Sequence, residues 1–409
     1  RQAGTKMSQH SITRFSANSD YDYEIRTTLG FSVEGAAEPG EILAAVSGVG
    51  KWDHEAWYAA WYRLAERTLA TAQKAAAGGH TVSASAAYLR ASAYYAVAVN
   101  AQSALADSGQ LASTFAKQQQ AWSGFVAHTP AEVTEVAIPY EQSTLPGWFF
   151  RADDSSAKRA TVVGVNGSDG SRSSMWVACV APALRRGYNV LIFDGPGQQS
   201  ELFERNVPFR PDWEHVISPV YDFIVGLDGV DAERVALYGI SQGSYWVARA
   251  LAFEHRFAAA ITDPGIVDVS TSWIHQIPKG LLKTLDEGQG AKFDKEMAFG
   301  MKFSPDTART WQFRARPYGT TGYAETIEAV RQYTVADLAS SITTPLLILS
   351  PEREQFWPGQ PEQLAELTSA VSTLVEFTAA EGADGHCQPL ARTLTAQRMF
   401  DWLDDRLAD

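Results

Sequence analysis

The chain is poor in cysteine and basic residues and has no long apolar run. Its 409 residues include only Cys179 and Cys387, far apart, which excludes a disulfide framework and favours a reducing compartment. The formal net charge of −13 argues against a nucleic acid or a membrane as partner, because either requires a basic face. No stretch approaches the roughly 18 apolar residues of a membrane span. The N-terminal stretch lacks the apolar core of a signal peptide, and we expect a cytoplasmic protein.

Patterns typical of metal and nucleotide sites are also missing. His54 and Glu55 resemble the start of a zinc-binding helix, but no second histidine follows at the required spacing, and no cysteines stand in ligand pairs. The segment 164–170, GVNGSDG, is too short for a phosphate loop and lacks its lysine. We therefore expect no metal and no cofactor, and a small molecule as the substrate.

Two regions of the chain differ in their patterns. Segment 52–127 is rich in alanine and repeats apolar residues at helical spacing, which predicts long helices interrupted near Gly78. Ser83 and Ser85 are candidate N-caps of the helix that follows. This pattern predicts a helical domain over residues 1–130.

From residue 131 to 409, short apolar strands alternate with helices. Such strands predict a mainly parallel sheet covered on both faces, after an opening hairpin. The segment 268–335 is too long for an ordinary connection between two strands. We expect this insertion to lie over the carboxyl edge of the sheet, near an active site.

A serine between two glycines follows one of the predicted strands. Segment 235–238, VALY, is typical of a short buried strand, and helical spacing begins soon after. A strand that turns at once into a helix needs unusual backbone angles, which glycine tolerates. Segment 239–243, GISQG, therefore predicts a nucleophile elbow with Ser241 as the nucleophile. The alternative is a chance match, since the chain has 31 glycines.

Serine catalysis needs a histidine as base. In doubly wound hydrolase sheets this histidine follows the serine and the acid along the chain. Three histidines follow Ser241. His255 is expected at the end of the elbow helix, and His275 in the insertion, where it is a candidate pocket residue. His386 lies in a glycine-bearing loop directly after the last predicted strand. This position favours His386 as the base.

The acid of the triad is expected after the second-to-last predicted strand, which precedes the strand before His386. The strand PLLILS ends at Ser350, and Glu354 follows within the usual reach of the acid, with Glu352 as an alternative. Asp263 is a third candidate. It follows the predicted strand that precedes PLLILS along the chain, and triad acids can lie after that strand. We favour Glu354.

The oxyanion hole requires two backbone N–H groups. One comes from the residue after the nucleophile, here Gln242, and the other from the loop after the strand TVVGV. Ser168 is the expected second donor, and Gly167 lets the substrate approach closely.

Several of these segments together resemble a known family: LIFDGPGQQSEL, GISQGSYWVARALAFEHRFAAAITDPG, EQFWPGQ and GHC. They are similar to α/β-hydrolases with an N-terminal helical cap domain, such as dihydroxypseudooxynicotine hydrolase and the fungal polyketide-shortening hydrolases of pigment pathways. The resemblance implies an α/β-hydrolase fold with a mainly parallel eight-stranded sheet. It also implies a triad of Ser241, Glu354 and His386 that cleaves a carbon–carbon bond beside a ketone.

The resemblance further implies a site enclosed between cap and sheet, and a homodimer formed through the cap. Aromatic residues are candidate pocket residues, with core packing as the alternative: Trp61, Tyr94, Tyr95 and Tyr245. We expect hydrolysis of a carbon–carbon bond in a small, largely apolar carbonyl compound. The alternatives are an ester, lactone or acyl-peptide hydrolase and, more remotely, a binding module without catalytic activity.

Overall fold

The computed structural model describes residues 13–408. Residues 1–12, which carry most of the stretch used for the signal-peptide prediction, lie outside the described residues. None of the helices within residues 13–408 has both the length and the apolar character needed to cross a membrane.

The amino-terminal part of the described chain is helical. Its α-helices are α1 (Ser19–Gly30), α2 (Pro39–Val46), α3 (His54–Ala77), α4 (Thr81–Ala101) and α5 (Leu111–His128). The division predicted at residue 130, which stays a prediction, falls between the end of α5 and the first strand.

The boundaries of α3 and α4 follow from local chemistry. Asp53 caps α3 by accepting the N–H of Ala56 at 3.0 Å. The helix ends before Gly79, whose φ of +75° is the left-handed conformation that glycine adopts readily. Helix α4 already begins at Thr81, so Ser83 and Ser85 lie inside it. The N-cap prediction was wrong, because the turn after α3 leads directly into α4 without a side-chain cap.

The sheet has eight strands in the order β1-β2-β4-β3-β5-β6-β7-β8. They are β1 (Glu132–Tyr140), β2 (Ser143–Arg151), β3 (Arg159–Val165), β4 (Asn189–Phe193), β5 (Val230–Ile240), β6 (Ala259–Asp263), β7 (Leu346–Pro351) and β8 (Ser372–Phe377). The hairpin β1–β2 is antiparallel and β2 joins β4 antiparallel, whereas the neighbours from β4 to β8 are parallel. This confirms the predicted mainly parallel sheet.

Helices cover both faces of this sheet. They are α6 (Arg172–Met175), α7 (Ala181–Arg185), α8 (Gln199–Phe203), α9 (Glu214–Ile224), α10 (Gly243–Leu251), α16 (Gln360–Leu367) and α17 (Arg392–Arg406). The connection from β6 to β7 contains α11 (Thr271–Ile274), α12 (Lys279–Asp286), α13 (Gly290–Met301), α14 (Pro305–Ala315) and α15 (Tyr323–Val330). An isolated bridge between Asp268 and Thr334 closes this insertion at its base.

The N-terminal helices pack directly on the α/β part. Gly30, the last residue of α1, lies so close to the chain that a Cβ there would be 1.7 Å from the carbonyl oxygen of Pro389. The rings of Trp122 in α5 and Trp148 in β2 meet edge to face, with centroids 5.9 Å apart. One cluster of buried apolar side chains therefore includes residues of both parts.

Candidate active site

Ser241 lies in the tight turn between β5 and α10. Its φ of +53° is in the left-handed region that residues with a side chain rarely adopt. A Cβ on Gly239 would approach the carbonyl oxygen of Gly243 to 2.4 Å, so glycine is required there. A Cβ on Gly243 would approach the Val165 oxygen to 2.5 Å. The turn therefore has the geometry of a nucleophile elbow, with the serine hydroxyl raised above the carboxyl edge of the sheet.

Ser241, His386 and Glu354 form a continuous chain of hydrogen bonds. The hydroxyl oxygen of Ser241 is 2.9 Å from Nε2 of His386. On the other side of the ring, Nδ1 of His386 is 2.5 Å from Oε1 of Glu354. This geometry leaves Nε2 free to accept the serine proton while Nδ1–H donates to the carboxylate. The three residues come from the loops after β5, β8 and β7, which meet at one edge of the sheet.

The carboxylate of Glu354 is fixed and kept ionised. Its second oxygen, Oε2, accepts the N–H groups of Phe356 at 2.8 Å and Trp357 at 2.9 Å. Burial alone raises the pKa of Glu354, but the charge of His386 and the hydrogen bonds from His386 and from these two N–H groups hold the pKa below its usual value. Glu354 is therefore a negative partner that orients the imidazole.

Aromatic rings enclose His386. The ring centroids of Phe356, Trp357 and Tyr23 lie 4.7, 5.7 and 6.5 Å from that of the imidazole. The side chains of His386 and Glu354 are each only 2% exposed. Tyr23 belongs to α1, so the N-terminal helices form one wall of the site. No pattern near Tyr23 in the sequence identified this contact, whereas Phe356 and Trp357 lie in the segment EQFWPGQ.

The other candidate bases have other surroundings. His255 is exposed, and its Nδ1 is 3.1 Å from the Thr343 hydroxyl. His275 is exposed just after α11 and does not have the enclosed position expected of a pocket residue. Of the histidines that the structure describes after Ser241, only His386 hydrogen-bonds the serine hydroxyl.

The alternative acids also have other partners. Glu352 is exposed and accepts the N–H of Ala379 at 2.8 Å. Asp263 is fully buried and accepts Nε2 of Gln388 at 3.1 Å and Nη1 of Arg392 at 3.4 Å. Burial raises the pKa of Asp263, and the positive charge of Arg392 opposes this increase. Glu354 is the carboxylate that the structure brings to His386.

The predicted oxyanion loop lies against the elbow. A Cβ built on Gly167 would be 3.2 Å from Cβ of Ser241 and 3.8 Å from the backbone nitrogen of Gln242, so the absence of a side chain permits the approach. The N–H of Gly167 donates to Oδ1 of Asn166 at 2.8 Å and is thereby occupied. Within residues 13–408, the structure gives no acceptor to the N–H groups of Gln242 and Ser168. These are the two groups expected to bind an oxyanion.

The aromatic residues predicted as pocket residues lie in the cores: Trp61, Tyr94, Tyr95 and Tyr245 are 0% exposed. Tyr94 donates its hydroxyl to Glu41 at 2.8 Å within the helical region. Tyr245 donates to the carbonyl oxygen of Pro211 at 2.9 Å. The structure gives these side chains core contacts in place of the expected pocket contacts, because rings and helices surround them completely.

Comparison with known proteins adds a family relationship. A model of the alpha/beta hydrolase family matches residues 162–396, more than half of the chain. The hydrolase LUC6 of a Fusarium species is 29% identical over 402 residues, which are 94% of this chain and 96% of the relative. The 20-hydroxy-prefusarin hydrolase FUS2 of Gibberella moniliformis is 28% identical over 418 aligned residues, covering 96% of this chain and 97% of the relative.

A solved structure shares the complete architecture. The crystal structure of 2,6-dihydroxy-pseudo-oxynicotine hydrolase matches with a TM-score of 0.71 at 20% identity. The match covers 93% of this chain and 96% of the other chain, and it therefore includes the N-terminal helices. At this identity the likeness establishes a common fold.

Proposed function

Because the chain belongs to the alpha/beta hydrolase family and is a hydrolase, we propose that Ser241, His386 and Glu354 are its catalytic triad. The observation that carries the proposal is the unbroken series of hydrogen bonds from the Ser241 hydroxyl through His386 to Glu354. The substrate that we propose is a small, largely apolar carbonyl compound.

The first half of the reaction forms an acyl-enzyme. The hydroxyl oxygen of Ser241 attacks the carbonyl carbon while Nε2 of His386 removes its proton, and Glu354 stabilises the resulting imidazolium. The N–H groups of Gln242 and Ser168 bind the oxyanion. His386 then gives the proton to the leaving group as its bond to the carbonyl carbon breaks.

The second half releases the acyl group. His386 deprotonates a water molecule, which attacks the acyl carbon, and the proton returns to the oxygen of Ser241. The products are a carboxylic acid and the free enzyme, so each turnover consumes one water molecule.

We propose a carbon–carbon bond beside a ketone as the bond that is cleaved. The leaving group is then an enolate, and His386 must protonate carbon before bulk water intervenes, which favours an enclosed site. The 2% exposure of the His386 side chain and the three rings around it support this choice over an ester, lactone or acyl peptide.

Labelling with a fluorophosphonate probe, followed by peptide mapping, tests the triad. We expect one adduct on Ser241 that is lost in His386→Ala. Ser241→Ala should lower kcat on the order of a million-fold while the thermal unfolding temperature stays near that of the wild type, because the triad acts as a unit. Near-normal turnover by the Ser241 variant would refute the triad. Faster turnover of p-nitrophenyl esters than of β-diketones would favour the ester alternative.

Three predictions from the sequence remain proposals. They are a cytoplasmic location, a homodimer formed through the N-terminal helices, and the division into domains 1–130 and 131–409. Light scattering of the purified chain measures the mass that the homodimer predicts, and a monomer mass contradicts it.

A further inference from the structure

The side-chain amide of Gln242 has a donor without an acceptor. The residue follows Ser241 directly and is 4% exposed, yet its Nε2 has no hydrogen-bond partner within residues 13–408. Buried polar groups in native proteins are nearly always paired, and an unpaired one lowers stability. Other buried side chains of the described chain also lack partners, including Gln102. Gln242 differs from them because it is adjacent to the nucleophile.

The orientation of this amide is set by Tyr318 of the insertion. The hydroxyl of Tyr318 donates to Oε1 of Gln242 at 3.2 Å. Because Oε1 is thereby occupied on the side facing Tyr318, Nε2 is left as the free group.

Tyr318 itself is held firmly. Its ring meets those of Phe209, Tyr333 and Trp273 edge to face, with centroids 5.1, 5.1 and 5.7 Å apart. The neighbouring carbonyl of Pro317 accepts the N–H of Phe209 at 2.7 Å, which ties this part of the insertion to the α/β part. Burial raises the pKa of Tyr318 above its usual value, so the hydroxyl keeps its hydrogen.

We infer that the side-chain amide of Gln242 binds a second oxygen of the substrate, in 1,3-relation to the carbonyl that Ser241 attacks, as in a 3-oxoacyl compound. This inference rests on the proposed function. Gln242 supplies both donors from one Cα, the backbone N–H for the oxyanion and Nε2 for the second oxygen. The two acceptors therefore belong to neighbouring groups of one substrate. Tyr318 is a positioning residue, which acts through Gln242.

Two esters that differ by a carbonyl group in place of a methylene group at C3 test the inference: p-nitrophenyl 3-oxohexanoate and p-nitrophenyl hexanoate. The readout is the ratio of their kcat/KM values, because any damage to the backbone donors of the oxyanion hole affects both esters and cancels. After correction for the spontaneous hydrolysis of each ester, the wild type should prefer the 3-oxo ester. Gln242→Leu should reduce that preference about tenfold to a hundredfold, the usual effect of leaving a substrate oxygen without its buried donor.

Tyr318→Phe provides a milder second variant if Gln242→Leu fails to fold. It keeps the ring and removes the hydroxyl that orients the amide, so it should reduce the preference in the same direction by a smaller factor. The matched control is Tyr333→Phe, which alters the adjacent tyrosine and should leave the preference unchanged. Fluorophosphonate labelling of Ser241 and the thermal unfolding temperature establish that each variant is folded.

The outcomes separate the inference from the proposed function. If Ser241 of the wild type is labelled but the two esters are cleaved equally, or neither is cleaved, the inference is overturned and the triad stands. An unchanged preference in both Gln242→Leu and Tyr318→Phe also overturns it. If the folded wild type is neither labelled nor active, the proposed function itself fails.

Discussion

The end of β6 and the loop after β7 each bury a carboxylate at the same edge of the sheet, but the two carboxylates have different partners. Glu354, after β7, hydrogen-bonds the imidazole of His386. Asp263, the last residue of β6, faces Gln388 and the guanidinium of Arg392. Both carboxylates thus lie at the end of a strand, and they differ in their partners. Glu354 contacts a histidine, whereas the charge of Asp263 is paired with an arginine.

Asp263 nevertheless connects the catalytic loops. Its carbonyl oxygen accepts the N–H of Ser241 at 2.7 Å. Its partner Arg392 donates to the carbonyl oxygen of Cys387, next to the base, at 2.8 Å. Cys387 and Gln388 both have positive φ, so this segment needs external contacts to keep its conformation. Asp263 therefore stabilises the positions of Ser241 and of the segment that follows His386, while Glu354 contacts His386 itself.

A third carboxyl group at this edge extends the comparison. Glu24 lies on α1 next to Tyr23, and the charge that acts on it most strongly is another carboxylate, Asp169 of the oxyanion loop. Burial, together with the charges of Asp169 and Asp20, raises the pKa of Glu24 to about 8, with Arg314 opposing. The partner His386 thus lowers the pKa of Glu354, whereas burial raises the pKa values of Asp263 and Glu24.

Among changes to these carboxyl groups, the largest expected effect is loss of activity in Glu354→Gln. An amide cannot hold Nδ1–H of His386 as a carboxylate does, and the ring is free to adopt the wrong tautomer, so kcat should fall about ten-thousandfold. Steady-state hydrolysis of an activated ester measures this. Asp263→Asn is the matched comparison, and a folded Asp263→Asn with the larger loss of kcat would reverse the assignment of the acid.

The second effect is on stability, in Asp263→Asn. Removing one member of a buried ion pair leaves Arg392 as an uncompensated buried charge, which should lower the free energy of unfolding by about 3–5 kcal/mol. Denaturant unfolding measures the difference. Glu352→Gln, on the exposed neighbour of the catalytic loop, should change it by less than about 0.5 kcal/mol. Equal stabilities of the two variants would contradict a framework role for Asp263.

The third effect is a dependence of stability on pH at Glu24. Glu24 ionises near the ordinary glutamate pKa of 4.5 in the unfolded chain and at a pKa of about 8 in the folded protein. Between these values the folded protein binds more protons, so stability decreases as the pH rises. Glu24→Gln removes this loss. Its unfolding temperature should equal that of the wild type near pH 4.5 and exceed it at pH 8. Asp169→Asn should act in the same direction, and a gap that stays constant with pH would disprove the shift.

The sequence predicted most reliably what depends on short spacing or on the order of strands. The elbow around Ser241 needs two glycines at fixed positions, and the places of Glu354 and His386 follow from the strands before them. The structure brings these three together as expected, and their catalytic roles stay a proposal. The sequence left Glu352 and Asp263 open as alternatives to Glu354, because it does not show whether a carboxylate meets a histidine or an arginine.

Such sequence patterns do not predict contacts between residues that are far apart along the chain. Tyr23 and His386 are joined only by packing between the first helix and the last loop, and nothing near Tyr23 marks it. Trp61 and Tyr94 show the reverse case, since an aromatic residue of a helix has the same pattern whether its ring lines a pocket or fills a core. Likewise, the hydrogen bond from Tyr318 to Gln242 depends on how the insertion folds over the sheet.

The contact between Tyr23 and His386 joins the first helix to a loop near the end of the sequence. The ribosome therefore makes Tyr23 first, then Ser241, then Glu354, and His386 last. A nascent chain that has already folded the turn at Ser241 still lacks His386, the base of the proposed triad. On the proposed mechanism, partly synthesised chains carry a serine that is not yet activated.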